Sequence, residues 1–198
     1  SDRLTYTFTL RTDALWHDSH PLTADDIVFT FEEVIQHPNF RNPLIKDAFD
    51  SIHIEKIEPN KVSFKLPKAN SYFISNLTVG ILPKHLLEKA NVGSLEKSSF
   101  NKKPIGSGAY KVNSANLSSE GDYIDLEAFE SYYGEKPLLK RVRFYTFPTE
   151  DELLKARSNL YAISKLSEAH AITQTIKEDP RFTTYTYSLN KFDALYLN

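Results

Sequence analysis

The stretch 6–31, YTFTLRTDALWHDSHPLTADDIVFTF, restricts the fold more than any other. It opens with strict alternation: Tyr6, Phe8 and Leu10 are apolar, with Thr5, Thr7 and Thr9 between them. Successive side chains of a strand point to opposite faces, so a period of two predicts a strand buried on one side. Polar turn formers over 11–20 then break the pattern. A helix is predicted next. Thr23 is a good N-cap and Asp26 stands three residues on, at capping-box spacing with Asp in place of Glu or Gln. Ile27, Phe31, Val34 and Ile35 recur at helical spacing. Pro38 stops the helix near His37, because the residue before a proline is steered away from helical angles. On physics alone this is a strand, a turn and a capped amphipathic helix.

Further along, 38–50 reads as a loop with a short helical turn, interrupted by prolines and asparagines. Alternation in 52–66, with a turn at Pro59-Asn60, predicts a two-stranded hairpin. Residues 70–77 predict a short helix, and Pro83 is placed to begin another. Residues 91–103 read as a polar loop. Strands are predicted at 109–114, 122–129 and 140–147. Thr149 to Glu152 forms a capping box ahead of a short helix through Arg157. Leu160 to Ile163 suggests a strand, 168–178 a helix, and 181–188 and 192–198 final strands.

Composition excludes several classes. A net charge of −2 argues against a nucleic-acid protein, since phosphate binding relies on clustered basic residues. No apolar run approaches the length of a membrane span, and no signal peptide is visible. The chain has no cysteine, hence neither disulfides nor thiolate chemistry. It also has no methionine, so Ser1 is not a translation start and the sequence reads as a piece of a longer protein.

The conspicuous polar residues have plain structural explanations. Trp16 offers apolar area, and Arg11 can pair with nearby carboxylates. His17-Asp18-Ser19-His20 superficially suggests a metal site or a triad, but neighbours on one turn seldom converge on a point. His37, His53, His85 and His170 are scattered without ligand spacing. Asp25-Asp26 fits the helix N-terminus and Glu32-Glu33 a solvated face. No convergent nucleophile, base and orienting group is found, so no catalytic residue, metal or cofactor is expected.

Four segments together carry a family resemblance. The first is Tyr6, Phe8, Leu10, Arg11, Asp13, Trp16, His17, Asp18, Pro21, Leu22, Thr23, Ala24, Asp26, Ile27, Phe29 and Thr30. The second is Gly80-Ile81-Leu82-Pro83-Lys84-His85-Leu86-Leu87-Glu88, and the third Pro104-Ile105-Gly106-Ser107-Gly108-Ala109-Tyr110. The fourth is Tyr132-Tyr133-Gly134-Glu135-Lys136-Pro137. In this order they resemble the family 5 extracellular solute-binding proteins, the oligopeptide-, dipeptide- and nickel-binding receptors of ABC importers. Ser19 stands where the family usually has glycine, and Ala109 where it has proline.

The resemblance implies a mixed α/β, periplasmic-binding-protein-like fold of the second type. Residues 1–83 would form the small inserted domain and 84–198 the middle segment of the first lobe, with the C-terminal lobe absent. It implies a non-enzymatic receptor that captures a solute, most often a short peptide, between two lobes and delivers it to ABC permease subunits. The compartment would be extracytoplasmic, periplasm or cell-surface lipoprotein. By position in the family pattern, Leu44, Asn76, Leu77 and Thr78 lie near the ligand on the small domain, and Ser164, Lys165, Leu166 and Tyr187 on the lobe side. A sensor using the same fold, and nickel chelate, sugar or haem as solute, stay open as alternatives.

Overall fold

A computed structural model describes residues 3–116, 122–163 and 171–185. The chain divides into two compact units, 1–145 and 146–198.

In the first unit the predicted strand is β1 (Thr5–Thr9), and the predicted hairpin is β2 (His53–Glu58) with β3 (Lys61–Lys65). They form an antiparallel sheet in the order β1-β3-β2. The register sets Tyr6 opposite Phe64, Phe8 opposite Val62 and Ile54 opposite Phe64. Alternation therefore collects the apolar side chains on one face and leaves Thr5, Thr7 and Thr9 exposed.

The predicted helix covers that face. It begins as α1 (Ala24–Val28) and continues as a π-helical stretch, Phe29–Ile35. Ala24, Ile27, Phe31 and Ile35 pack with Ile54, Val62 and Phe64, joined by Phe49 of α2 (Pro43–Phe49) and Phe73 of α3 (Phe73–Asn76). Phe31 is the hub, with ring centroids 4.7 Å from Phe49 and 5.3 Å from Phe64. The π stretch changes what the helix can bury. The Gln36 N–H reaches the Phe31 carbonyl, five residues back, at 3.1 Å. The wider turn carries Phe29 and Val34 away from the sheet, into a second cluster with Leu87 of α4 (Lys84–Leu87). Val34 and Ile35, which share one predicted stripe, thus serve two cores.

A second antiparallel sheet follows, β4 (Tyr110–Asn116), β5 (Asp122–Ala128) and β6 (Arg141–Thr146), in that order. β6 is one of its two edges, and Phe144 and Tyr145 are exposed, as are Leu138 and Leu139 ahead of it. In the second unit, Thr149 caps α5 (Glu150–Ala156), its Oγ1 accepting the Glu152 N–H at 3.3 Å. A 3-10 turn, Arg157–Asn159, follows α5, and α6 (Ala171–Glu178) buries Thr173 and Ile176. Hydrogen bonds from Arg181, aided by Arg157, hold the Asp179 carboxyl well below the usual carboxylate range.

Three expectations need correction. The stretch 91–103 contains 3-10 helices at Val92–Lys97 and Ser99–Lys102. Asn91 and Ser98 start them by accepting the N–H groups of Gly93 and Phe100, so side-chain bonds supply the order that apolar periodicity does not. Residues 160–163 and 182–185 are not strands. Apolar content marks a strand, but a strand also needs a ladder partner, and none of these residues pairs in a described sheet. Residues 186–198, including the predicted last strand, lie outside the described residues.

Candidate functional site

The four resembling segments are bonded to one another through the first. Asp26 is buried, and its carboxylate accepts the N–H of Thr23 at 2.9 Å and of Lys84 at 2.9 Å, with the Trp16 indole N–H at 3.4 Å. One carboxylate thus caps its own helix and anchors the start of α4. Thr30 acts beside it: Oγ1 donates to the Asp26 carbonyl at 2.7 Å and accepts the Leu82 N–H at 2.9 Å. Trp16 is 1% exposed, a packing residue.

His17 secures the third segment. Its backbone N–H donates to the Gly106 carbonyl at 2.8 Å, and its Nδ1 accepts the Gly106 N–H at 3.1 Å. A nitrogen that accepts carries no proton, so the proton is on Nε2, which donates to the Gly108 carbonyl at 3.0 Å. The imidazole is neutral, and burial, with Lys111 nearby, pushes its pKa below the ordinary value, against the opposing pull of the Gly108 bond. Arg11 secures the fourth segment. It forks onto Asp13 at 3.0 and 2.9 Å, donates to the Tyr133 carbonyl at 3.0 Å, and stacks on the Tyr133 ring. At Gly134 a Cβ would meet the Tyr132 ring at 2.6 Å, so a larger residue in that turn would have to displace the Tyr132 side chain.

Two groups depart from their expected roles. Glu32 is not on a solvated face: its Oε1 accepts the Ile54 N–H at 2.8 Å and lies 3.0 Å from His53 Nδ1. His85 is not isolated. Its Nε2 lies 2.7 Å from Asp18 Oδ2, and its ring stacks on His20 at 4.1 Å between centroids. Sequence spacing carried no trace of this pairing, which spans 67 residues. The turn that presents Asp18 and His20 holds Ser19 at φ 74°, so the left-handed residue survives without glycine. Burial would raise the Asp18 carboxyl, but bonds from His85 and the His20 N–H outweigh it and hold the pKa low.

The residues expected to face a solute divide into two groups. Leu44 projects from α2 and is 83% exposed. Asn76 closes α3 half-buried, Leu77 packs onto the main core, and Thr78 is exposed with Oγ1 3.5 Å from the Ser75 carbonyl. Ile45, Ala48 and Leu77 pack on the same cluster, so α2 and the 73–78 segment are both seated on it, with Leu44, Tyr72 and Ile74 left outward. Ser164, Lys165, Leu166 and Tyr187 lie outside the described residues. Cavities of about 530 and 470 Å³ open elsewhere, along the π stretch with α4 and beside His17 with β5; neither is lined by Leu44 or residues 76–78.

Comparison with known proteins agrees with this fold. Residues 1–198 match the family described as bacterial extracellular solute-binding proteins, family 5 (middle). The oligopeptide-binding protein AppA of Bacillus subtilis is 34% identical over 156 residues, covering 73% of this chain and 26% of AppA. The structure of that protein in complex with a nonapeptide superposes with a TM-score of 0.66 at 30% identity, over 79% of this chain and 31% of AppA. NikZ from Campylobacter jejuni, in complex with Ni(L-His), gives 0.65 at 33% identity, over 80% and 31%. The chain therefore spans roughly a quarter to a third of these relatives. The relatives are binding proteins, and no helix among the described residues is long and apolar enough to cross a membrane. With its four segments in order and its whole length matched, this chain belongs to the family 5 bacterial extracellular solute-binding proteins.

Proposed function

We propose that this chain is part of the substrate-binding component of an ABC importer, a non-enzymatic receptor that captures short peptides outside the cytoplasm and hands them to the permease. The observation that carries this reading is the match over residues 1–198 together with the similarity to AppA. Residues 1–83 act as the small inserted domain and 84–198 as the middle segment of the first lobe. Leu44, Asn76 and Thr78 form one ligand-facing wall, seated on the core through Leu77, and Ser164, Lys165 and Tyr187 contribute from the lobe side. An open wall suits a two-lobe clamp, in which closure excludes water and satisfies the peptide's backbone groups.

A thermal-shift screen of the full-length protein, with this chain in parallel, tests the reading. Di- to octapeptides, nickel chelates, oligosaccharides and haem form the library. A ligand at about a hundred times its Kd adds about 2.7 kcal/mol of stability. Peptides should stabilise the full-length protein and leave this chain unchanged. Stabilisation by another class alone would overturn the peptide assignment, and an equal response from this chain would overturn the clamp.

A further inference from the structure

We propose that Asp18, His20 and His85 form a surface binding site for a divalent transition metal ion of the zinc, nickel or copper class, built from the 16–21 turn and α4 and separate from the solute-facing residues. One ligand atom from each residue lies within 4.8 Å of the other two. Asp18 Oδ1 is 3.3 Å from His20 Nδ1, and Asp18 Oδ2 is 2.7 Å from His85 Nε2. Bonds of about 2.0–2.2 Å to one ion separate its ligand atoms by roughly 3 Å, so small side-chain rotations bring all three into a first coordination sphere. Two imidazoles with one carboxylate select borderline metals; magnesium and calcium favour all-oxygen sets.

The backbone holds the ligands in advance. On one side, the Trp16 N–H donates to the His20 carbonyl at 2.8 Å and the Ser19 N–H to the Trp16 carbonyl at 2.8 Å. Asp18 Oδ1 also accepts the His20 N–H at 3.2 Å, which turns both side chains the same way. On the other side, α4 is tied down where the Lys84 N–H meets Asp26. Trp16 and Lys84 share that one carboxylate, so the two arms of the site rest on a common buried anchor. The Asp18 and His85 side chains are about a quarter exposed and His20 is 59% exposed, which leaves an entry path and room for water to complete the coordination. A bound ion would take the place of the direct contact between His85 and Asp18 and would staple the turn to α4.

The test is calorimetric titration of the full-length protein with Zn²⁺ and Ni²⁺ at pH 7.5, beside His20→Asn and His85→Gln. His20 is exposed, so His20→Asn leaves the fold intact, checked by its unchanged unfolding midpoint. One ion should bind per chain, and each variant should weaken it at least tenfold, since even residues behind the ligands cost about 10–100-fold. With Cu²⁺, the electron paramagnetic resonance spectrum should show two coordinated imidazole nitrogens, falling to one in His20→Asn. Absence of binding, or binding unchanged in His20→Asn, would overturn the site. Because neither histidine belongs to the proposed solute wall, peptide affinity should be the same in the variants. A failed peptide screen and a failed metal titration are therefore separate results.

Discussion

The two sheets of the first unit differ in what completes them. β1-β3-β2 is closed on its apolar face by α1, the π stretch, α2 and α3, and its central rings are almost wholly buried. In β4-β5-β6, Ile124, Phe144 and Tyr145 are exposed, and Arg143 stacks on the half-buried ring of Tyr123 and the exposed ring of Tyr145 while pairing with Asp125. Alternation alone predicts both sheets equally well. The difference arises from what packs on them, and it shows that the signature stretch builds a core where the later strands do not. Its polar residues serve the same end, fixing the other three segments around that core.

Substitutions can break this contrast. The largest effect is expected for Phe31→Ala, which empties the hub of the buried cluster and should cost about 3–5 kcal/mol in urea denaturation. Asp26→Ala comes next. It leaves the Thr23 and Lys84 N–H groups without their acceptor, each worth about 1–3 kcal/mol, and should release α4 as well as shorten the helix. Native-state hydrogen exchange at Lys84 and Leu87 would register that release.

His17 sharpens the contrast with pH. Its pKa in the folded chain lies below the ordinary 6.5, so the unfolded chain takes up a proton first as pH falls. The neutral clamp on Gly106 and Gly108 therefore contributes fully above about pH 6.5 and is lost progressively below it, down to the folded pKa. The stability gap between the native chain and His17→Phe should narrow from pH 7.5 to 5.5; a gap that widened would refute the neutral tautomer. The smallest effect is expected in the second sheet. Phe144 is 58% exposed, so Phe144→Ala should change stability by less than about 0.5 kcal/mol.

Much of this was legible in the residues. Thr23 and Asp26 marked the helix start, Pro59-Asn60 the hairpin, and the alternation of 6–10 the buried face. The π-helical widening was not, because Val34 and Ile35 satisfy an ordinary helical stripe, and their division between two clusters shows only in the folded chain. The meeting of His85 with Asp18 was hidden for a different reason. It depends on Asp26 and Thr30 seating the 82–84 segment, and long-range docking leaves no periodic mark. Leu44 and Asn76 carry no local signal and rest on family position alone; Leu44 is exposed, whereas Leu77 is engaged in the core.

The signature residues hold the fold, and the α2–α3 surface is the proposed solute contact. The most direct test measures peptide affinity and unfolding midpoint together in the full-length protein, for Asp26→Asn and Asn76→Ala. Asp26→Asn should lower the midpoint with little change in Kd, and Asn76→Ala should weaken binding with the midpoint unchanged. The reverse pattern, with affinity lost at Asp26 and stability lost at Asn76, would contradict the account.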